Sequence, residues 1–182
     1  MTTQKLDLNC LTEAMSAAAL EVFGSMMGIA IEPEKIEPGQ ATAVKDHGVL
    51  SLLGITGEWT GNGGLSCSAD CACWMASQMM LCEFPEVNDE VRDAVGEITN
   101  MIVGSFKNSI SNLTGPLGMS TPTVISGQGM TTTNSESREW IAFPFHSEGH
   151  SFRMIVQLQP AGRVTSRAHD AMQHLHGALQ PA

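Results

Sequence analysis

The sequence predicts an α+β domain in which long helices pack on an antiparallel sheet. Helical periodicity marks two long segments, at about residues 8–28 and 88–113, and pairs of strand-like segments separated by turn residues follow each of them. Strands arranged in hairpins between helices imply an antiparallel sheet. No composition shift marks a linker, so residues 1–182 are predicted to form a single domain, a size that allows a real core. Both halves follow the order helix, turn-rich link, strands with a hairpin, helix, which suggests an internal structural duplication.

The first half begins with an amphipathic helix over residues 8–28. Its apolar positions recur every three or four residues and the segment closes on Gly28: Leu11, Met15, Ala18, Val22 and Met26. The following "IEPEKIEPG" is predicted to be a stiff connector because of its two prolines. "HGVLSLLGITGEW" and "GNGGLSCSA" are predicted strands joined by a turn at Gly-Asn-Gly-Gly, and residues 69–84 a helix ended by Pro85.

The second half begins with the longest helix, from the N-cap Asn88 to about Leu113, where "TGPLG" interrupts it. "MSTPTVISGQG" is a predicted strand with Pro122 near its start. "REWIAFPFHSEGHSFRMIVQLQ" is a predicted hairpin around residues 147–149. Residues 163–182 form a C-terminal extension for which a short helix is predicted.

The long helix has two contrasting faces at 100° per residue. One carries the predicted core stripe: Val91, Val95, Ile98, Ile102, Phe106, Ser109 and Leu113. The other is polar or lacks bulk: Asp93, Glu97, Asn100, Gly104, Asn108 and Ser111.

Glu97 and Asn100 are an i, i+3 pair, so their side chains can address one target. The carboxylate can pair with a cation, and the carboxamide offers a donor and an acceptor that suit a bound water molecule. Gly96 and Gly104 each cost about 1 kcal/mol relative to Ala in a helix interior, so both need a reason. Taken alone, this pattern also describes a solvated helix face whose glycines pack against a neighbouring element.

The wider sequence resembles the CheX branch of the CheC/CheX/FliY chemotaxis phosphatases. Those proteins carry Asp or Ser, then E-x-x-N, then a proline some twenty residues later. The matching residues are Asp93, Glu97, Asn100 and Pro122, within "DAVGEITNMIVGSFKNSIS" and "MSTPTVISG". The resemblance extends to "EVFGSMMG", "LLGITGEWTGNGGLSCS" and "FPFHSEGHSFRMIVQL", and covers about residues 8–159.

The resemblance implies a CheC-like fold and dephosphorylation of a phosphorylated CheY-like response regulator. Asn100 would enter the regulator's acid pocket and orient the attacking water, and Glu97 would pair with the regulator's active-site lysine. Mg²⁺ would belong to the regulator, so no cofactor of the chain's own is expected. Asp93 and Gly104 are assigned to partner binding, Gly104 because it leaves room for another surface.

The resemblance also bears on copy number and assembly. The first helix lacks the motif, since Glu13 is followed three residues later by Ser16 and Glu21 by Gly24. A single E-x-x-N favours the CheX type, whose members form homodimers. The alternative is a non-catalytic scaffold or flagellar-switch-like binding module on the same fold, because fold does not fix function.

Charge and cysteine usage exclude other classes of function. The formal net charge is −10 and the nine basic residues form no cluster, which argues against binding to nucleic acid or anionic membranes. The N-terminus lacks the order of a secretory signal, and a cytoplasmic location is expected. Cys67, Cys71 and Cys73 follow C-x₃-C-x-C, which does not match the paired spacing of structural zinc sites, so no metal site is predicted.

Overall fold

A computed structural model of the protein describes residues 6–36, 45–46, 48–127, 130–131 and 140–162. The helices are α1 (Leu8–Val22), continued by a π-helical turn (Phe23–Met27), α2 (Ala69–Met80), α3 (Asp89–Ser109) and the short α4 (Ser111–Thr114). The strands are β1 (Glu32–Pro33), β2 (Lys45–Asp46), β3 (Gly48–Gly57), β4 (Trp59–Ser68), β5 (Leu117–Met119), β6 (Thr123–Ser126), β7 (Met130–Thr131), β8 (Ile141–Ser147) and β9 (His150–Pro160).

Within the described residues, seven strands form one antiparallel sheet in the order β1-β8-β9-β4-β3-β5, with β6 also paired to β3. β2 and β7 pair separately. The pairing is repeated between the halves: β1 of the first half pairs with hairpin β8–β9, and β6 of the second half pairs with hairpin β3–β4. The two hairpins meet through β4 and β9 at the centre. The predicted α+β class is therefore confirmed, and the strand pairings of the two halves repeat as the predicted duplication requires. The helix predicted to close the second half lies outside the described residues.

The core lies between one face of this sheet and the helices. Alternate residues of the central strands point toward the helices and are buried there, among them Leu65, Met154 and Val156. The helices contribute the remainder of this core, and α3 packs against α1, α2 and the β3, β4 and β6 strands. On the opposite sheet face, Leu50, Trp140 and Ile155 form a smaller cluster.

The first helix ends differently from the prediction. Leu11, Met15, Ala18 and Val22 are buried as expected, but Met26 is 57% exposed and Phe23 is buried in its place. The chain widens into a π-helical turn at Phe23, so the 100° spacing that predicted Met26 no longer applies. Gly28 ends the turn in the left-handed region, with φ of 67°.

The predicted turn at Gly-Asn-Gly-Gly is wrong. Gly61, Gly63 and Gly64 lie inside β4, and the hairpin turns instead between Gly57 and Trp59. A Cβ atom on Gly61 would lie 1.7 Å from the carbonyl oxygen of Gln157 on the neighbouring strand. These glycines therefore allow close packing around a central strand, a role that glycine also has in sheets.

Other predicted boundaries need smaller corrections. Helix α2 stops at Met80, because Leu81 is left-handed and Phe84 N–H donates to Ser77 Oγ at 3.3 Å, which folds the chain back along the helix. Helix α3 stops at Ser109, which is exposed and does not belong to the core stripe. The strand around Pro122 is divided into β5 and β6, and the connector after α1 contains β1.

The predicted hairpin at residues 147–149 is present as β8–β9, with Glu148 and Gly149 at positive φ. The predicted C-terminal helix in residues 163–182 lies outside the described residues. In the described part of the chain, no helix is long and apolar enough to cross a membrane.

Candidate active site on helix α3

Helix α3 is fixed at its ends by its sequence. The Asn88 side chain caps it by accepting from Val91 N–H at 2.9 Å. Asp89 and Glu90 occupy the first turn and Lys107 the last, the charge order that suits the helix dipole. The stripe of five apolar residues faces the core fully buried: Val91, Val95, Ile98, Ile102 and Phe106. This packing fixes the rotation of the helix and therefore which side chains reach the surface.

Glu97 and Asn100 lie on the surface of this helix. Glu97 is exposed and Asn100 is partly exposed. Neither side chain has a hydrogen bond or ion pair with any other residue that the structure describes. Each therefore keeps its full bonding capacity for an external group: the carboxylate as an acceptor, and the carboxamide as both donor and acceptor.

The two glycines of α3 differ in what surrounds them. Gly96 is buried, and a Cβ atom there would lie 3.3 Å from Val124 Cγ2 and 3.9 Å from Pro122 Cβ. Gly96 thus lets β6 approach the helix. This is the packing against a neighbouring element that the sequence pattern also allowed for the glycines. A Cβ atom on Gly104 would meet only Met119 Cε, at 3.6 Å, which is ordinary van der Waals contact. The protein's own packing therefore gives no reason for glycine at position 104.

Strand β6 is held beside α3 by polar contacts. Arg92 Nη1 donates to Ser126 Oγ at 3.3 Å, and Arg92 also pairs with Asp89 one turn earlier. Pro122, the motif proline, is thereby kept next to Gly96 and within one helical turn of Asn100. Sequence reasoning gave no signal for Ser126, because this contact depends on the pairing of β6 with β3.

The segment between β5 and β6 is pinned to the sheet by Ser120. Ser120 N–H donates to the Gly54 carbonyl at 3.0 Å, and Gly54 N–H donates to Ser120 Oγ at 2.9 Å. The same hydroxyl donates to the carbonyl of Thr121 at 3.0 Å. These bonds hold residues 120–122 in a defined position beside the helix.

The first half of α3 presents mostly negative charge. Asp93 is exposed and lies one turn before Glu97, following Asp89 and Glu90. Arg92 is the only basic residue of α3 before Lys107, which donates to Asn108 Oδ1 at 3.2 Å. We call Asp93, Glu97, Asn100 and Gly104 the docking face. Its charge suits a partner that brings a cation to Glu97.

The cysteines lie outside helix α3. Cys67 and Cys71 are buried, Cys82 is exposed, and within the described residues no group of three or more His, Cys, Asp or Glu side chains is placed to hold a metal ion. Burial and the nearby carboxylates of Asp70 and Glu86 raise the pKa of the Cys73 thiol. Burial and Asp7 likewise raise the pKa of Cys10.

Comparison with known proteins identifies the family to which this chain belongs. The sequence profile described as chemotaxis phosphatase CheX matches residues 49–146, more than half of the chain, including all of α3 and the β5–β6 segment. The chain belongs to the CheX family. Among curated proteins, it is 26% identical over 122 residues to the CheY-P phosphatase CheX of Thermotoga maritima, covering 66% of this chain and 77% of that protein.

Solved structures of the CheX family share the fold. The chemotaxis protein CheX from Desulfovibrio desulfuricans is 27% identical, with a TM-score of 0.73, over 82% of this chain and 99% of that one. CheX from Vibrio vulnificus is 25% identical, with a TM-score of 0.71, over 82% of this chain and 96% of that one. The predicted CheC-like fold is thus confirmed.

Proposed function

We propose that this protein is a phosphatase that hydrolyses the phosphoaspartate of a CheY-like response regulator. Two observations support the proposal together. The chain is a CheX family member with a curated relative named CheY-P phosphatase CheX. Its Glu97 and Asn100 side chains are accessible on one helix face and are not engaged by the described part of their own chain.

In the proposed mechanism, the docking face enters the regulator's acid pocket. Asn100 accepts a hydrogen bond from the attacking water and holds it in line with the phosphorus atom. The water oxygen forms a bond to phosphorus as the bond between phosphorus and the aspartyl oxygen breaks, which gives inorganic phosphate, the free carboxylate and a proton released to solvent. Positioning contributes most of the catalysis in this kind of phosphoryl transfer.

Glu97 has a different proposed role. Its carboxylate pairs with the regulator's active-site lysine as the two proteins dock. Because this ion pair is desolvated in the complex, it contributes to binding and also fixes the register in which Asn100 meets the water. Mg²⁺ is provided by the regulator, and this chain contributes no metal or cofactor.

The supporting surface comes from Asp93 and Gly104. Asp93 adds negative charge one turn before Glu97, and Gly104 leaves space for the rim of the partner one turn after Asn100. The proposal also includes a cytoplasmic homodimer, formed through edge strands of the sheet. Light scattering at micromolar concentration should give a mass near twice the 19.4 kDa of the chain, and a monomer mass would contradict the dimer.

The function is tested by measuring phosphate release from a panel of the host's phosphorylated CheY-like regulators, with and without this protein. We expect faster release from at least one regulator, with the increase proportional to the amount of protein added. A regulator that binds tightly but loses phosphate only at its own rate would instead favour the scaffold or switch-like alternative.

A further inference from the structure

The segment between β5 and β6 runs alongside the docking face, and its position follows from two contacts on α3. Gly96 lies against Pro122 and Val124, and Gly104 lies against Met119. These glycines are eight residues apart, about 12 Å along the helix axis. Met119 and Pro122 are three residues apart, about 10 Å in extended chain. The segment therefore crosses the helix face between the two glycines, in the opposite direction.

Asn100 lies halfway between Gly96 and Gly104 on the same i, i+4 row of the helix. The middle of the opposing segment is occupied by Ser120 and Thr121. This placement agrees with the exposure of the two side chains, since Asn100 is partly exposed and Glu97 is exposed. Ser120 and Thr121 are themselves exposed, and we call these two residues the shoulder.

We propose that the shoulder is part of the surface that docks the response regulator, with Thr121 in contact with the rim of the regulator's pocket. The inference rests on the proposed function, because it takes the regulator as the occupant. If the regulator's pocket receives the Asn100 carboxamide, the rim of that pocket should contact the residues next to Asn100, provided that those residues are held rigidly. The three hydrogen bonds of Ser120 hold the shoulder in place. The shoulder therefore cannot move aside for a regulator whose pocket rim does not fit it.

Thr121 is the residue of the shoulder best suited to select partners. Its hydroxyl forms no hydrogen bond with the described residues, whereas the Ser120 hydroxyl is used internally. A change at Thr121 therefore alters the docking surface without removing a contact of the fold. A rim that is shaped for a small side chain would reject a large one, which is how steric clashes discriminate between partners.

The test measures the dissociation constant of the regulator activated with beryllium fluoride, for the regulator that the wild-type protein dephosphorylates fastest. Thr121→Arg should weaken binding by about tenfold or more. Thr123→Arg is the matched control: Thr123 is also exposed, but it pairs with Leu52 of β3 and so shares the sheet face of Leu52, opposite the helices. Residues 120–122 lie between β5 and β6, so this alternation does not extend to Thr121. Its binding should stay within about twofold of wild type.

The outcomes separate this inference from the proposed function. Equal binding by Thr121→Arg and Thr123→Arg would overturn the role of the shoulder even if the wild-type protein is an active phosphatase. Selective loss of binding in Thr121→Arg would support it even if no phosphate were released. Thr121→Ala, which adds no bulk, should bind as the wild-type protein does, and weakened binding in this variant would overturn the proposed steric role. A lowered melting temperature in Thr121→Arg would also overturn the proposal, because the lost binding would then follow from misfolding.

Discussion

Replacing Gly104 with alanine should make the protein more stable and a poorer phosphatase. In a helix interior, Gly is about 1 kcal/mol less favourable than Ala. The added methyl would lie 3.6 Å from Met119 Cε, the flexible end of a half-buried side chain, so no strain opposes the gain. We therefore expect a stabilisation of about 0.5–1 kcal/mol, which raises the melting temperature by about 1–4 °C in a domain of this size.

Under the proposed function, the same methyl would also enter the space that Gly104 leaves for the partner. An added methyl in a packed contact costs about 1 kcal/mol or more, which corresponds to about fivefold weaker docking. The assay compares calorimetric melting with KM for phosphate release from the cognate regulator. Gly24→Ala is the control, since a Cβ atom there would meet nothing within 4 Å and α1 carries no E-x-x-N motif.

Two results would refute this reasoning. A melting temperature for Gly104→Ala below that of wild type would mean that the fold itself requires glycine at this position. A higher melting temperature with an unchanged KM would mean that the space beside Asn100 is not used by the partner.

Three further predictions concern docking, the sheet and the thiols. Glu97→Ala should weaken docking and turnover together by about 2–5 kcal/mol, because the proposed ion pair with the regulator's lysine is desolvated. The variant should melt near the wild-type temperature, because Glu97 is exposed. Titration with the regulator checks the first result and calorimetry the second. Gly61→Ala should destabilise the protein by about 3 kcal/mol or more in denaturant unfolding, because the new Cβ would lie 1.7 Å from the Gln157 carbonyl oxygen. Iodoacetamide at pH 7.5 should label the exposed Cys82 first and Cys73 much more slowly, because burial and acidic neighbours raise the pKa of Cys73 and lower its thiolate fraction. Peptide mass mapping of the labelled protein measures the order of labelling.

Local sequence signals predicted the elements whose causes are local. The Asn88 cap, the apolar stripe of α3 from Val91 to Phe106 and the hairpin at residues 147–149 depend on neighbouring residues, and all are present. The predicted extension of the stripe to Ser109 and Leu113 is wrong, because α3 ends at Ser109. The Gly-Asn-Gly-Gly stretch was mistaken for a turn because turn glycines and glycines at a close strand approach have the same composition. Only the pairing of β4 with β9 distinguishes the two roles.

The residues of the candidate site also fall into those that local sequence predicts and those that it does not. Glu97 and Asn100 are three residues apart on one helix, so their shared face follows from helical geometry alone. The family resemblance brought in Pro122, but nothing local indicated that Ser120 would be bonded to Gly54, 66 residues earlier, or that Pro122 would lie against Gly96. Such neighbours are set by tertiary packing, which a single sequence does not display.

The most direct test of the central claim is the turnover of Asn100→Ala with the cognate phosphorylated regulator at saturating concentration. The account predicts that most of the catalysed rate disappears, by about a hundredfold, because the water is no longer oriented, while KM and the melting temperature stay near wild type. Asn108→Ala, an exposed asparagine two turns further along the same helix, should keep full activity. Full activity in Asn100→Ala would contradict the account and would leave α3 as a helix that packs or scaffolds without catalysing.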